Sequence, residues 1–122
     1  MNKVLVIDDE AEVVDFLFNF LRRFKIQVEK AVSGKGALEA FMKVKPDWVF
    51  LDIKMPDIDG FEVLKAIKSM SPEVNVIMIT GKEDKESQDK ARKLGAFDYI
   101  IKPLDLEQLH KKIQVNILDK NN

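Results

Sequence analysis

The sequence predicts an α/β fold in which a five-stranded parallel sheet carries helices on both faces. Five short apolar runs alternate with stretches whose apolar residues recur every three or four positions, as in amphipathic helices. Helices that connect parallel strands are right-handed crossovers and pack back onto the sheet. A second observation is that four of the five apolar runs end in a charged or hydroxyl residue. Parallel strands bring these ends to one edge, where ligands bind in such sheets.

The first half of the chain predicts three strands and two helices. Residues 4–7 and 48–51 are runs of large apolar side chains, which is typical of strands buried on both faces. Residues 26–32 alternate weakly, like a strand nearer an edge of the sheet. Ser33 is a suitable N-cap for the second helix. The first helix has an apolar face with helical spacing, made of Val13, Phe16, Leu17, Phe20, Leu21 and Phe24.

The second half of the chain completes the alternation. Asp59 is a suitable N-cap for the third helix, which we expect to end before Ser71-Pro72. Residues 74–79 and 97–101 predict the fourth and fifth strands. Asp105 caps the last helix, whose apolar face is made of Leu106, Leu109, Ile113 and Ile117.

Length and composition limit the class of protein. The chain has 122 residues, so we expect one domain over residues 1–122, with an ordered core at about 3–118. Hydrophobic residues at 46% and charged residues at 34% favour a globular protein over a disordered one. The formal net charge of −1 gives no general attraction to nucleic acid or anionic lipid, so we expect neither as a direct partner.

Cysteine content and the N-terminus give two further expectations. The absence of Cys excludes disulfide bonds and thiolate metal sites. No apolar run approaches the roughly 20 residues that span a bilayer. The first residues lead directly into a strand pattern, so we expect no signal peptide and a cytoplasmic protein.

The polar residues at the strand ends form a candidate site. Asp8 and Asp9 follow the first strand, Asp52 the third, Thr80 ends the fourth, and Lys102 follows the fifth. Three carboxylates this close repel one another, and a hard cation with oxygen ligands relieves the repulsion. Mg²⁺ suits such a site, with Mn²⁺ as a substitute. One carboxylate can then act as a nucleophile toward a phosphoryl group whose charge the metal and the lysine neutralise.

Short motifs occur in order along these strand ends. They are Asp8-Asp9-Glu10, Leu51-Asp52-Ile53-Lys54-Met55-Pro56, Asp59-Gly60, Thr80-Gly81, Tyr99 and Lys102-Pro103. With them the chain resembles the receiver domain of two-component response regulators over nearly its whole length, and the single-domain chemotaxis type in particular. The resemblance implies a flavodoxin-like sheet with strand order 2-1-3-4-5. It also implies a phosphoacceptor switch in a phosphorelay rather than a metabolic enzyme, because the only catalysis is self-phosphorylation and self-dephosphorylation.

The resemblance assigns roles to individual residues. Asp52 would accept phosphate from a histidine kinase or a histidine phosphotransfer protein. Asp9, Asp52 and the backbone carbonyl of Lys54 would ligate Mg²⁺ directly, and Asp8 through water. Lys102 would contact the phosphoryl group, and its peptide bond to Pro103 would be cis.

Two further residues would transmit the signal. Thr80 would move toward the phosphate and Tyr99 would swing inward. The fourth helix, at about residues 83–94, has only Ala91 and Leu94 as clear apolar residues, so burial stabilises it weakly. We therefore expect phosphorylation to change the surface of helix four, strand five and helix five, which would bind an output protein or domain. A homodimer through this surface would also be possible.

Helix one carries a second candidate surface. Val14 and Phe18 lie off its apolar face and four positions apart, which places them side by side. In the receiver family the histidine-bearing partner docks beside the phosphorylation site on this helix. We therefore expect these two residues to form part of the docking surface.

Two other functions remain open at this stage. A phosphatase or phosphotransferase with an aspartyl nucleophile would share the strand-end aspartate, but Lys54 stands where such enzymes place a second acid. They also usually have a cap domain, for which 122 residues leave no room. An interaction module that never takes phosphate would not need the acid cluster with Lys102. The chain is expected to be a stand-alone receiver or one part of a longer regulator, with no DNA-binding segment after Asn122.

Overall fold

Strands and helices alternate along the chain as the sequence predicts. The computed structural model describes residues 3–81 and 84–115. Three expectations fall outside this part of the chain. They are the start of the fourth helix at about residue 83, the place of Ile117 on the last helix, and the end of the core at about residue 118. The strands are β1 (Lys3–Ile7), β2 (Gln27–Ala31), β3 (Trp48–Leu51), β4 (Asn75–Thr80) and β5 (Asp98–Ile101). The helices are α1 (Ala11–Arg22), α2 (Gly34–Val44), α3 (Gly60–Met70), α4 (Lys85–Lys93) and α5 (Leu106–Ile113).

All five strands are parallel and lie in the order β2-β1-β3-β4-β5, which confirms the predicted topology. In the central pair, Ile7 is opposite Leu51, so β1 and β3 end level with each other. Thr80 is opposite Ile101 at the ends of β4 and β5. The residues that follow these positions therefore emerge at one edge of the sheet.

The hydrophobic core has two halves, one on each face of the sheet. Helices α1 and α5 cover one face, where Leu17, Leu21, Leu109 and Ile113 pack against alternate residues of the strands. Helices α2, α3 and α4 cover the other face, where Phe41, Leu64 and Ile67 pack against side chains of the central strands. The strands β1 and β3 are buried on both faces, as their continuous apolar sequences indicate.

The predicted helix caps are present. The Ser33 hydroxyl accepts a hydrogen bond from the Gly36 backbone N–H at 3.1 Å, and Asp59 accepts one from Phe61 at 2.8 Å. Asp105 accepts from the backbone N–H of Glu107 at 2.9 Å. Each cap satisfies N–H groups that have no partner within the helix. None of the helices within residues 3–81 and 84–115 has the length and apolar content needed to cross a bilayer.

The orientation of α1 differs from the expectation. Its buried residues are Val14, Leu17, Phe20 and Leu21, while Val13, Phe16 and Phe24 are only partly buried. The expectation that Val14 is exposed for docking is therefore wrong, because its side chain is 1% exposed and packs in the core. The apolar residues of this helix cover more than one face, and their spacing alone does not decide which part faces the sheet.

The large aromatic side chains of α1 occupy the margin of the buried face. Phe20 stacks with Phe16 at a centroid distance of 6.3 Å and meets Phe24 edge-on at 5.3 Å. Phe24 also contacts the His110 ring of α5 at 5.4 Å. This row of rings joins α1 to α5, and it leaves the smaller Val14 to pack nearer the sheet.

Candidate functional site

Three polar side chains are buried at the carboxyl edge of the sheet. Asp8 is 0% exposed, Asp52 is 3% exposed and Thr80 is 1% exposed. The backbone N–H of Asp52 donates to the Ile7 carbonyl at 3.0 Å, so the two aspartates follow adjacent strands in nearly the same register. Buried polar groups are costly unless they are paired. Three such side chains at one edge of the sheet therefore indicate a functional site rather than ordinary core packing.

Lys102 reaches this edge from the end of β5. Its backbone N–H donates to the Thr80 carbonyl at 2.8 Å, which fixes the start of its side chain beside β4. The ammonium Nζ lies 2.6 Å from Glu10 Oε1, 3.0 Å from Asp8 Oδ2 and 3.4 Å from Asp52 Oδ2. Burial alone would lower the pKa of Lys102, but its close contacts with the carboxylates of Glu10 and Asp8 and the charge of Asp52 raise it above its usual value.

Asp8 is the least satisfied member of this cluster. Its Oδ1 accepts a hydrogen bond from the Glu10 backbone N–H at 2.9 Å. Its Oδ2 is buried and has no hydrogen bond among the described residues, because the nearby Lys102 ammonium is at ion-pair distance without hydrogen-bond alignment. Burial raises the pKa of Asp8 to about 6, and the charge of Asp52 adds to the increase. A second cation bound at this oxygen, in addition to Lys102, would offset both costs.

Asp9 stands apart from the buried cluster. Among the described residues, the acidic oxygens within 4.8 Å of one another belong to Asp8, Glu10 and Asp52. Asp9 is exposed and lines an open cavity of about 670 Å³ together with Lys54 and other residues of the β3–α3 loop. The two consecutive aspartates therefore face different surroundings, one inside the cluster and the other in the cavity above the loop.

The β3–α3 loop is held close to Asp52 by its own backbone. The Gly60 N–H donates to the Ile53 carbonyl at 2.7 Å. A Cβ atom at Gly60 would lie 2.2 Å from the Asp52 carbonyl oxygen, so no larger residue fits without moving the loop. Gly60 therefore allows the loop to return directly over the end of β3.

Asp57 attaches the same loop to α2, a contact that sequence reasoning missed. Its carboxylate accepts hydrogen bonds from the backbone N–H groups of Gly34 at 3.1 Å and Lys35 at 2.9 Å. These bonds hold the pKa of Asp57 below its usual value. A Cβ atom at Gly34 would overlap the Ile58 side chain, so the helix start and the loop are in close contact. Asp57 is 23 positions from Gly34 and 22 from Lys35, and no local sequence pattern predicts contacts between residues so far apart.

Tyr99 and α4 lie on the β4–β5 side of the site. Tyr99 is partly buried, and burial raises the pKa of its hydroxyl, with the charges of Asp84 and Asp52 adding to the increase. Helix α4 buries only Ser87 and Ala91, in agreement with the weak packing expected from its composition. The Lys90 ammonium lies 4.5 Å from the centre of the Phe61 ring, which links α4 to the start of α3.

The remaining predicted residues have the following positions. The Lys102–Pro103 peptide bond is cis. Phe18 is partly buried, and its ring is covered by the Lys30 ammonium at 4.5 Å and by the Arg22 guanidinium at 5.2 Å. A docking role for Phe18 stays a prediction. A docking partner would meet a ring that already contacts two cationic side chains.

Glu10 is a site residue to which no role was assigned from the sequence. It is the N-cap residue of α1, yet its side chain makes no capping hydrogen bond and instead contacts Lys102. Glutamate is a poor N-cap in comparison with Ser, Thr, Asp or Asn. A glutamate directly before a helix, after two acidic residues, is the sequence signal that could have revealed another use for this side chain.

Comparisons with known proteins agree with the fold and the site. The family model for the response regulator receiver domain matches residues 4–114. The sporulation initiation phosphotransferase F of Bacillus subtilis is 29% identical over 120 residues, which make up 98% of this chain and 97% of that protein. A crystal structure of a two-component response regulator from Clostridium difficile superposes with a TM-score of 0.93 at 29% identity and covers 100% of both chains.

Some relatives are much longer than this chain. The regulatory protein AtoC of Escherichia coli K12 is 36% identical over 114 residues, which are 93% of this chain but only 25% of AtoC. The chain thus spans about a quarter of the length of the first curated relatives that it matches. Because the family model covers nearly the whole sequence, and the sheet order and strand-end residues agree with it, the chain belongs to the response regulator receiver domain family.

Proposed function

We propose that the chain is a phosphoacceptor switch in which Asp52 takes a phosphoryl group from a phosphohistidine partner. The observation that carries this proposal is the position of the Lys102 ammonium, 3.4 Å from the buried Asp52 carboxylate at the edge of the sheet. Phosphoryl transfer needs mainly positioning and the neutralisation of charge. A nucleophilic carboxylate beside a fixed cation supplies both.

The chemical step is a simple displacement at phosphorus. An oxygen of the Asp52 carboxylate forms the new O–P bond while the P–N bond of the phosphohistidine breaks. The electron pair of the broken bond stays on the imidazole nitrogen, and Asp52 becomes an acyl phosphate. Lys102 stabilises the charge on the phosphoryl oxygens during this step. Thr80, which is buried at the end of β4, donates its hydroxyl hydrogen to one of them.

The residues of the site fit a divalent cation. Three carboxylates surround a single ammonium, and the buried Oδ2 of Asp8 has no hydrogen bond within the described residues. Hard oxygen ligands of this kind suit Mg²⁺, for which Mn²⁺ is a substitute. Asp9, Asp52 and the Lys54 carbonyl would hold the ion, with Asp8 acting through water. When bound, Mg²⁺ neutralises charge on the phosphoryl group.

Signal output would occur through the surface of α4, β5 and α5. Helix α4 has only two buried residues, so a small change in free energy is enough to shift it. Movement of Thr80 toward the phosphoryl group would open space for Tyr99, which is now partly buried between the site and α4. An output protein or domain, or a second copy of the chain, would recognise the altered surface.

Docking of the phosphohistidine partner would use the exposed margin of α1. A cavity of about 500 Å³ lies beside Lys102, and its apolar lining includes Val13, Phe16 and Leu104. These side chains are only partly buried, in contrast to Val14. They lie next to the entrance of the site, where an incoming histidine must approach.

A small phosphoryl donor tests the proposed function directly. The protein is incubated with acetyl phosphate and Mg²⁺, and its intact mass is measured against the Asp52→Asn variant. We expect the wild-type protein to gain one phosphoryl group and the variant to gain none. Chelation of Mg²⁺ should prevent the gain. Equal phosphorylation of the variant, or no gain in the wild type with Mg²⁺ bound, would contradict the proposal.

A further inference from the structure

The Glu10 side chain is placed against Lys102 by its own backbone. Its N–H donates to Asp8 Oδ1 at 2.9 Å, which fixes the residue over the buried aspartate. The backbone of Glu10 is extended, with φ −86° and ψ 105°, and the side chain makes no capping bond to α1. The carboxylate is therefore available to Lys102, to which it makes the shortest contact in the cluster, at 2.6 Å.

The Lys102 ammonium has little capacity for another acceptor. An ammonium group has three N–H donors. Three carboxylate oxygens, from Asp8, Glu10 and Asp52, already lie within 3.4 Å of it. A phosphoryl oxygen that binds Lys102 must enter the same volume and take over one of these contacts.

Glu10 is the partner that can be given up. Asp8 is fully buried and its Oδ2 has no hydrogen bond in the described part of the chain, so loss of its ion pair with Lys102 at 3.0 Å would leave its charge without a partner. The side chain of Asp52 is 4% exposed, and it carries the phosphoryl group after transfer. The Glu10 side chain is 59% exposed, so water can solvate its carboxylate once it turns away from Lys102.

We propose that Glu10 competes with the incoming phosphoryl group for the Lys102 ammonium and in this way restrains phosphorylation of Asp52. The inference rests on the proposed function, because it assigns Lys102 to the phosphoryl group. Glu10 is a positioning residue that acts through Lys102, and it is not a group that touches the reacting atoms. The competition lowers both the rate of transfer and the affinity of the site for a phosphoryl analogue.

Two substitutions separate the contact with Lys102 from the charge. Glu10→Gln keeps the length of the side chain and removes its charge. Glu10→Asp keeps the charge and is one methylene shorter, so it loses the 2.6 Å contact. Glu12→Gln is the matched control, because this exposed residue in the first turn of α1 is not among the carboxylates within 4 Å of Lys102 in the described residues.

Two measurements follow the competition. The first is the rate of phosphorylation by acetyl phosphate at saturating Mg²⁺. The second is the Kd of beryllofluoride, an unreactive phosphoryl analogue, measured by calorimetry with Mg²⁺ present. For both Glu10 variants we expect transfer to be about 3- to 10-fold faster and the analogue to bind tighter by a similar factor, since exposed ion pairs are modest in strength. The Glu12→Gln variant should match the wild type.

Distinct results would overturn the inference. Suppose that Glu10→Asp transfers phosphate at the wild-type rate, and that Glu12→Gln accelerates transfer as much as Glu10→Gln does. The net negative charge near the site, and not the contact between Glu10 and Lys102, would then control the rate. If Glu10→Gln weakens Mg²⁺ binding more than about tenfold in a titration without donor, Glu10 belongs to the metal site instead. If the wild type is phosphorylated and both Glu10 variants have its rate and its Kd, this inference alone is wrong. If the wild type is not phosphorylated at all, the proposed function is wrong as well.

Discussion

The Asp8 side chain is fully buried, and its Oδ2 has no hydrogen bond among the described residues. Burial raises its pKa to about 6, so the carboxyl is ionised at pH 7 but its ionisation costs more free energy in the folded protein than in the unfolded chain. Lys102 at 3.0 Å offsets part of this cost, and a divalent cation bound beside the carboxylate would offset more of it. Function and stability are therefore opposed at this residue.

Asp8→Asn should stabilise the metal-free protein. The substitution removes a buried charge and keeps the shape of the side chain, so we expect the free energy of unfolding to rise by about 1–2 kcal/mol at pH 7. Urea unfolding in the presence of a chelator measures this change. The control is Asp89→Asn in α4, a half-exposed residue whose surface ion pair with Arg92 is weak, so stability should change by less than about 0.5 kcal/mol. A metal-free Asp8→Asn protein that is less stable than the wild type would contradict this explanation.

Individual site residues were only partly predictable from the sequence. Asp8, Asp52, Thr80 and Lys102 could be placed together because each ends or follows a buried parallel strand. The directions of the side chains that follow β1 could not be predicted from residue types, since Asp9 turns toward the cavity while Glu10 turns back to Lys102. Those directions depend on backbone angles after the strand, which residue types alone do not determine.

Helix α1 shows a comparable limit at the scale of one element. Its existence and approximate length follow from the spacing of its apolar residues. Its rotation about its own axis does not, because apolar residues cover so much of its surface that Val14 and Phe16 were both possible core positions. Contacts of the Phe16, Phe20 and Phe24 rings along the margin, and with His110 of α5, determine the outcome.

The exposed margin of α1 leads to a prediction about partner docking. Phe16→Ala should slow phosphotransfer from a phosphohistidine partner by about tenfold, because it removes an aromatic contact next to the site. Phosphorylation by acetyl phosphate, which needs no docking, should keep its rate. Stopped-flow or gel-based transfer assays measure both rates.

The control for docking is Met42→Ala. Met42 is an exposed apolar residue, at 56% exposure, on a helix of the opposite face of the sheet. Its removal should affect neither reaction. Circular dichroism verifies that Phe16→Ala is folded, since Phe16 also stacks on Phe20. Equal rates for wild type and Phe16→Ala with the protein partner would show that docking occurs elsewhere.

Helix α4 should respond to phosphorylation more than the other helices of its face. It buries only Ser87 and Ala91, whereas α3 buries five residues. We expect amide hydrogen exchange across Lys85–Lys93 to change by about fivefold or more when beryllofluoride and Mg²⁺ are added. Exchange in α2 (Gly34–Val44) is the internal reference and should stay constant. An α4 that exchanges identically in both states would exclude it as the moving element.

At the scale of the whole molecule, the parallel sheet brings residues that are distant in sequence to one edge. Asp8 and Lys102 are 94 positions apart, and their charged groups lie 3.0 Å from each other. The alternation of strands and helices made this arrangement predictable. The attachment of the β3–α3 loop to α2 through Asp57 was not predictable, because it depends on how two connections approach each other across the finished fold.

Binding of Mg²⁺ should stabilise the entire fold. An ion that binds only the folded state, at about 100 times its Kd, adds about 2.7 kcal/mol, which corresponds to a rise of about 10 °C in Tm for a domain of this size. Thermal unfolding with and without Mg²⁺ measures the shift. Asp9→Asn should abolish most of it, although Asp9 lies outside the tight acidic cluster. A full shift in Asp9→Asn would remove Asp9 from the proposed ligands.

The most direct test of the account is to identify the carboxylate that carries the phosphoryl group. Reduction of an aspartyl phosphate with borohydride converts that aspartate into homoserine, which peptide mass spectrometry locates in the sequence. After reaction with acetyl phosphate and Mg²⁺, we predict homoserine at position 52 and at no other aspartate. Homoserine at position 8 or 9, or none in a protein that has gained a phosphoryl group, would contradict the assignment of Asp52 as the acceptor.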